Sequence, residues 1–144
     1  VVSEGKSLKI IGGVSSGGAI FVVRNDSGIN SVQDFAGKKF ASPQLGNTQD
    51  VALRKYLFDN GYKTKDKGGN VEILPVKNPD ILTLLLKKEI DGAWVPEPWG
   101  EKLIKEGNSR LFLDERTLWP DGKFVTANII VNPEYLQQNP DVIR

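Results

Sequence analysis

Residues 38–61 read KKFASPQLGNTQDVALRKYLFDNG, and this stretch decides the fold. Lys38 to Ala41 is a short run closing on an apolar pair, as a strand does, and Ser42 to Asn47 supply turn residues. From about Thr48 to Asn60 the apolar residues take up helical spacing. Ala52, Leu53, Tyr56 and Leu57 form one stripe, with Val51 and Phe58 opposite, which predicts a helix covered on both sides. Gly61 is a natural C-terminal stop. The unit is strand, loop, helix, and the same order returns twice downstream. Val71–Val76 is a strand, after which Asn78–Pro79 act as N-cap and first-turn proline of a helix through Leu82, Leu85 and Leu86. Gly92–Val95 is a buried strand, and Pro96 to Trp99 lead into a helix that stops at Gly107.

Outward from this centre the pattern is mainly of strands. Leu8–Ile11 is an apolar run ending at Gly12–Gly13, followed by a small polar loop through Gly18. Ala19–Arg24, rich in β-branched residues, is a second strand stopped by Asn25 to Gly28. Ser31 caps a short helix through Phe35. After the repeated units come a strand at Leu111–Leu113, a polar loop from Asp114 to Lys123 around Trp119–Pro120, and a strand at Thr126–Val131. Strands alternating with helices at this spacing predict an α/β fold with a mostly parallel central sheet and helices on both faces. There is no internal repeat, low-complexity tract or linker.

Composition removes many chemistries. The chain has 144 residues, the size of one domain, with 19 Lys plus Arg against 18 Asp plus Glu. A balance this even leaves no electrostatic footprint for nucleic acid. With no Cys there is no disulfide, thiol nucleophile or iron–sulfur cluster. With no His there is no Ser-His-Asp triad and none of the usual nitrogen ligands of zinc, so neither a metal nor a cofactor is expected. No apolar run approaches the roughly 18 residues that span a bilayer. Val1 is not a translation start, and Asn139-Pro140-Asp141 repeats the cap chemistry of Asn132-Pro133 with only Val142, Ile143 and Arg144 to follow. Such ends are expected of a fragment of a larger protein.

Three constellations carry possible chemistry. Gly13-Val14-Ser15-Ser16-Gly17 matches the G-x-S-x-G nucleophile elbow, but a strand follows it where an elbow needs a helix, and no His can serve as base. It reads better as a Gly/Ser loop whose hydroxyls and N–H groups face a ligand oxygen. Neither phosphate-binding glycine motif is present. Gly46-Asn47-Thr48-Gln49 lies where a strand end feeds a helix N-terminus, the edge at which open parallel sheets bind ligands. Anion binding by free N–H groups and plain capping by Asn47 or Thr48 fit it equally. Glu97-Pro98-Trp99 occupies the equivalent corner one unit later, where a carboxylate and an indole either meet a ligand or serve as helix cap and core. Trp94 reads as core, and Trp119 as either a lid or local packing.

These residues carry a resemblance. Asp34-Phe35-Ala36-Gly37-Lys38-Lys39-Phe40-Ala41 looks like the entry to the second lobe of bacterial solute-binding proteins. Leu45 to Arg54, Asp91 to Trp99 and Leu118 to Thr126 follow in order, with Ser15 to Gly18 before them. Together they are similar to the aliphatic-sulfonate, taurine and nitrate binding proteins of ABC importers. The resemblance implies a lobe of the type II periplasmic-binding-protein fold with crossing hinge strands. On that pattern 1–24 is a remnant of the first lobe and the first crossing strand, 25–125 the second lobe, and 126–144 the second crossing strand and the truncated return. It implies a small oxyanion held between lobes, aliphatic sulfonate ahead of taurine or nitrate, with the missing first lobe of the same chain and membrane permease subunits as partners. Ser15, Ser16, Gly17, Asn47, Thr48, Gln49, Glu97 and Trp99 would line the site. The location implied is the periplasm, or the cell exterior as an anchored lipoprotein. Thiamine-pyrimidine-precursor synthases of the same fold are the enzymatic alternative, but they rely on His and a Cys-rich motif that this chain lacks. A ligand-sensing regulatory domain is a third reading. With half its cleft missing, a fragment is expected to leave Leu8–Ile11 as an open edge strand.

Overall fold

The structure, a computed structural model, describes residues 7–143; Val1 and Arg144, which figure in the expectation of cut ends, lie outside the described residues. Among the described residues seven strands form two sheets. The small sheet pairs β1 (Lys9–Ser16) with β7 (Val125–Val131), and the large one contains β2 (Ala19–Arg24), β3 (Lys39–Ser42), β4 (Glu72–Pro75), β5 (Gly92–Pro96) and β6 (Ser109–Asp114) in the order β4-β3-β5-β2-β6. β3 runs parallel to β4 and β5, while β2 is antiparallel to both β5 and β6. Four strands of the large sheet therefore point one way and β2 alone points back. The α/β architecture with a mostly parallel sheet is the observed one.

Helices cover both faces. On one side α1 (Thr48–Asp59) lies with the 3-10 turn Val32–Phe35, and on the other lie α2 (Asn78–Leu86) and α3 (Trp99–Glu106). Strand alternation sorts the core accordingly. Ile20, Val22, Ala41, Ala93 and Val95 pack with Ile81, Leu85 and Leu103 in an aliphatic cluster, whereas Phe21, Val23, Phe40 and Trp94 pack with Phe35, Leu53 and Leu57 in an aromatic one. Phe21 is the hub of that second cluster, stacked on Trp94 at 5.3 Å between centroids and edge-on to Phe40 at 5.1 Å. Leu53 and Leu57 seal α1 onto it, but Val51 and Phe58 are 57% and 73% exposed, so α1 is covered on one side only. α2 begins with Lys77 rather than Asn78 at its N-cap, which moves Asn78 inside the helix.

The neighbours of the first two strands differ from expectation. Ala19–Arg24, anticipated as a crossing strand, sits inside the large sheet with all six residues buried. β1 extends to Ser16, so the anticipated loop shrinks to Gly17–Gly18, both with positive φ of 74° and 80°. Gly12 and Gly13 mark register shifts inside β1 rather than a loop, a usual place for glycine in a strand. β1 is not unpartnered either, since Lys9 faces Val131 and Ser16 faces Val125 across an antiparallel ladder. Ile10, Ile129 and Ile130 of this ribbon are half-exposed or more. After β7 the chain ends in α4 (Pro133–Gln138) and α5 (Pro140–Ile143).

Candidate functional site

The site is built at the edge where β3, β5 and β6 end and β2 begins. Leaving β3, the chain passes through a short loop into α1, and Asn47 caps that helix by accepting from the Asp50 N–H at 2.8 Å. Asp50 holds the loop from below. Its carboxylate, 1% exposed, accepts from the Ser42 hydroxyl and the Gly46 N–H, both at 2.9 Å, and from Arg54 Nε at 3.0 Å. The first N–H groups of a helix have no intrahelical acceptor. Asn47 satisfies the third of them, while the amides of Thr48 and Gln49 have no acceptor among the described residues. Two oriented donors at the positive end of a twelve-residue helix are an anion-binding arrangement.

Thr48 and Gln49 line a cleft of about 610 Å³. Gly46 to Gln49, Val51 and Ala52 form one wall, and Trp119, Phe124, Val125 and Thr126 form the other. Lys55 and Lys123 flank it. Trp119 and Phe124 are stacked, with centroids 5.4 Å apart and rings 16° from coplanar. The turn of Gly17 is tied to the same wall, because its N–H donates to Phe124 O at 3.0 Å and its carbonyl accepts from the Thr126 hydroxyl.

Glu115 also lines the cleft, on a 3-10 turn from Glu115 to Leu118. It is 4% exposed and accepts from Trp94 Nε1 at 2.7 Å. Burial pushes its carboxyl above the usual range; hydrogen bonding by the Trp94 and Trp119 indoles opposes the rise, and the Asp114 charge adds to it. The cleft therefore has amide donors in one wall and a buried carboxyl that accepts from the Trp94 indole.

The anticipated residues divide. Asn47, Thr48 and Gln49 share the cleft with Trp119, which resolves as a wall of it. Ser15 and Ser16 are exposed on β1, opposite Ala127 and Val125, and Gly17 forms the turn that follows. Glu97 is exposed, donates from its N–H to Gly18 O at 2.7 Å, and accepts from the Glu101 N–H at 3.0 Å, thereby capping α3. Trp99 is half-buried against the aliphatic cluster, with Lys102 Nζ 5.8 Å from its ring centroid. All five belong to the same edge of the molecule as the cleft, but they do not line it. Glu115, Phe124, Lys55 and Lys123 were not foreseen as site residues. Trp119 and Phe124 lay within a quoted motif, so a signal existed for them; a glutamate in a polar loop carries none.

Among the described residues no three His, Cys, Asp or Glu cluster as a metal would require, and no helix is long and apolar enough to cross a membrane. A profile of the NMT1-like family matches residues 3–144. The chain belongs to the NMT1-like family. Among curated proteins no sequence match is found. Solved structures resemble it in fold. The ligand-binding component of an ABC-type import system from Staphylococcus aureus, solved with zinc bound, superposes with a TM-score of 0.80 at 19% identity, over 98% of this chain and 47% of that one. The periplasmic aliphatic sulphonate binding protein SsuA from Escherichia coli gives 0.77 at 19% identity, over 99% and 46%. The periplasmic nitrate-binding protein NrtA from Synechocystis PCC 6803 gives 0.75 at 16% identity, over 94% and 37%. This NMT1-like chain thus spans less than half the length of each of these structures.

Proposed function

We propose that this chain is one lobe of a two-lobed solute receptor of an ABC importer, and that it grips the oxyanion end of a small ligand for delivery to a membrane permease. The observation that carries this reading is the pair of unengaged amides of Thr48 and Gln49, on residues that line a cleft with an aromatic wall. A charge-assisted bond from such a donor is roughly twice as strong as a neutral one, and micromolar affinity needs only about 8 kcal/mol in total. The fold shared with sulphonate and nitrate receptors supports the same role. The crossing segments on this reading are β1 and β7, whose pairing places them outside the large sheet. A second lobe would close over the cleft, and the receptor would work outside the cytoplasmic membrane.

An organic anion fits the cleft better than nitrate. A volume of about 610 Å³ is some twentyfold the ~30 Å³ share of one water molecule. Its walls contribute Val51, Ala52, Trp119, Phe124 and Val125, which reward an apolar body. An aliphatic sulfonate combines both features.

The test exploits the first helical position. Proline is accepted there and lacks the N–H, and Asn47 before it is already extended at ψ 175°. Calorimetric titration of the full-length receptor with butanesulfonate should show Thr48→Pro weakening binding about thirtyfold, the equivalent of about 2 kcal/mol for a bond to a charged group. Thr48→Ala, which keeps the amide, should lose less. Equal affinity in wild type and Thr48→Pro would remove the α1 amides from the site.

A further inference from the structure

The groove along α1 continues past the cleft. Beyond Trp119 lies a second hollow of about 300 Å³, bounded by Tyr56, Asp59 and Leu118. Ala52, Lys55, Glu115 and Trp119 line both hollows. Ala52 and Lys55 belong to the continuous surface of α1, so what divides the groove is the pair Glu115 and Trp119 reaching toward it from the opposite side. Trp119 is 48% exposed yet has a defined place. Its N–H donates to Arg116 O at 3.2 Å, its carbonyl accepts from Gly122 N at 3.0 Å, and its ring lies on Phe124. Glu115 roots this wall in the core, since it accepts from Trp94 Nε1 at 2.7 Å and Trp94 is itself fully buried and stacked on Phe21.

We infer that Trp119, on the wall that Glu115 roots in the core, is a partition that sets the length of the ligand. This rests on the oxyanion reading above. With the anionic head at the amides of Thr48 and Gln49, an apolar body runs along Val51 and Ala52 against the indole and ends where the indole closes the groove. The ligand class is an organic monoanion with a short apolar body. A second anionic group at the far end would meet the carboxyl groups of Glu115 and Asp59, and Lys55 there is already paired with Asp59. Displacing or truncating the indole joins the second hollow to the first and admits a longer body.

The experiment titrates the full-length protein, as wild type and as Trp119→Ala, Trp119→Phe and Glu115→Gln, with methanesulfonate, butanesulfonate and octanesulfonate. The readout is the ratio of affinities between chain lengths, because a purely structural role would weaken all three ligands together. Wild type should bind butanesulfonate more tightly than octanesulfonate. Trp119→Ala should shift that ratio tenfold or more toward octanesulfonate, Trp119→Phe should largely restore it, and Glu115→Gln should shift it in the same direction by a few-fold. Wild-type binding with an unmoved length preference in Trp119→Ala overturns the partition alone. Failure of wild type to bind any of the three sulfonates overturns the oxyanion reading and the partition with it.

Discussion

The large sheet ends differently at its two edges. At the edge where β3 and β5 begin, Arg24, Asp26, Lys88 and Asp91 answer one another. Arg24, only 8% exposed, donates through Nε to Ile90 O at 3.2 Å and pairs with Asp26 and with Asp91 at 3.3 Å. Asp91 in turn accepts from the Lys39 N–H at 2.9 Å, and Lys88 reaches Asp26 at 2.6 Å. At the opposite edge, among the described residues, the amides of Thr48 and Gln49 find no acceptor, and Glu115 is buried with no ion pair. Thr48 is exposed, so its first-turn amide is open to a partner from outside, which the proposed function makes the ligand. The closed edge holds the sheet together, and on the proposed function the open edge is the one that takes the ligand.

The largest expected effect breaks the closed edge. Arg24→Ala strands the half-buried Asp91 and the Ile90 carbonyl, and removing one member of a buried pair typically costs 3–5 kcal/mol. Side chains at 9% and 19% exposure place this pair near the lower bound, about 3 kcal/mol. Urea unfolding should show that loss while butanesulfonate affinity stays as in wild type. Unchanged stability would mean that the edge is decorated rather than clamped. Asp50→Asn comes next and blurs the distinction on purpose, because Asp50 is a closed network placed beneath the open site. It serves Ser42, Gly46 and Arg54 at once, and an amide cannot accept from all three. Its loss should cost about 2 kcal/mol in unfolding and also weaken anion binding, since the loop carrying Asn47 loses its anchor. A variant that loses stability but binds normally would separate the loop from the site.

Much of this contrast was legible in local pattern. The strand-loop-helix unit around α1, the Asn47 cap and the donors of Thr48 and Gln49 follow from spacing and cap chemistry, which act over a few residues. The role of β2 was not legible. Five apolar residues from Ala19 to Val23, closed by Arg24, suit an interior strand and a crossing strand alike, and the choice depends on pairing Ile20 with Val95 and with Asp114, far along the chain. Gly12 and Gly13 misled for a related reason: glycine marks loops and bulges equally, and only the partner strand β7 tells them apart. Glu115 was invisible because its burial is a tertiary event. The donor that makes a carboxyl tolerable there is Trp94, 21 residues away and inside another strand.

The smallest expected effect sets the two edges against each other by pH. At the closed edge the hydrogen bond from Lys88 is the main influence holding the Asp26 carboxyl below its usual range; desolvation opposes it and Arg24 adds to it. A lowered carboxylate contributes stability that is present above the ordinary aspartate range and is lost as pH falls through it. Glu115 has the opposite sign. Because burial raises it, the folded chain keeps its proton longer than the unfolded chain does, and that contribution is lost as pH rises through and above the ordinary glutamate range. Unfolding curves taken between about pH 4 and about pH 7 should therefore show Glu115→Gln gaining on wild type as pH rises, whereas Asp26→Asn falls behind it over the acid end of the same range. Parallel trends in the two variants would show that Glu115 titrates as an ordinary paired carboxylate. The open edge would then lack the uncompensated burial that distinguishes it from the closed one.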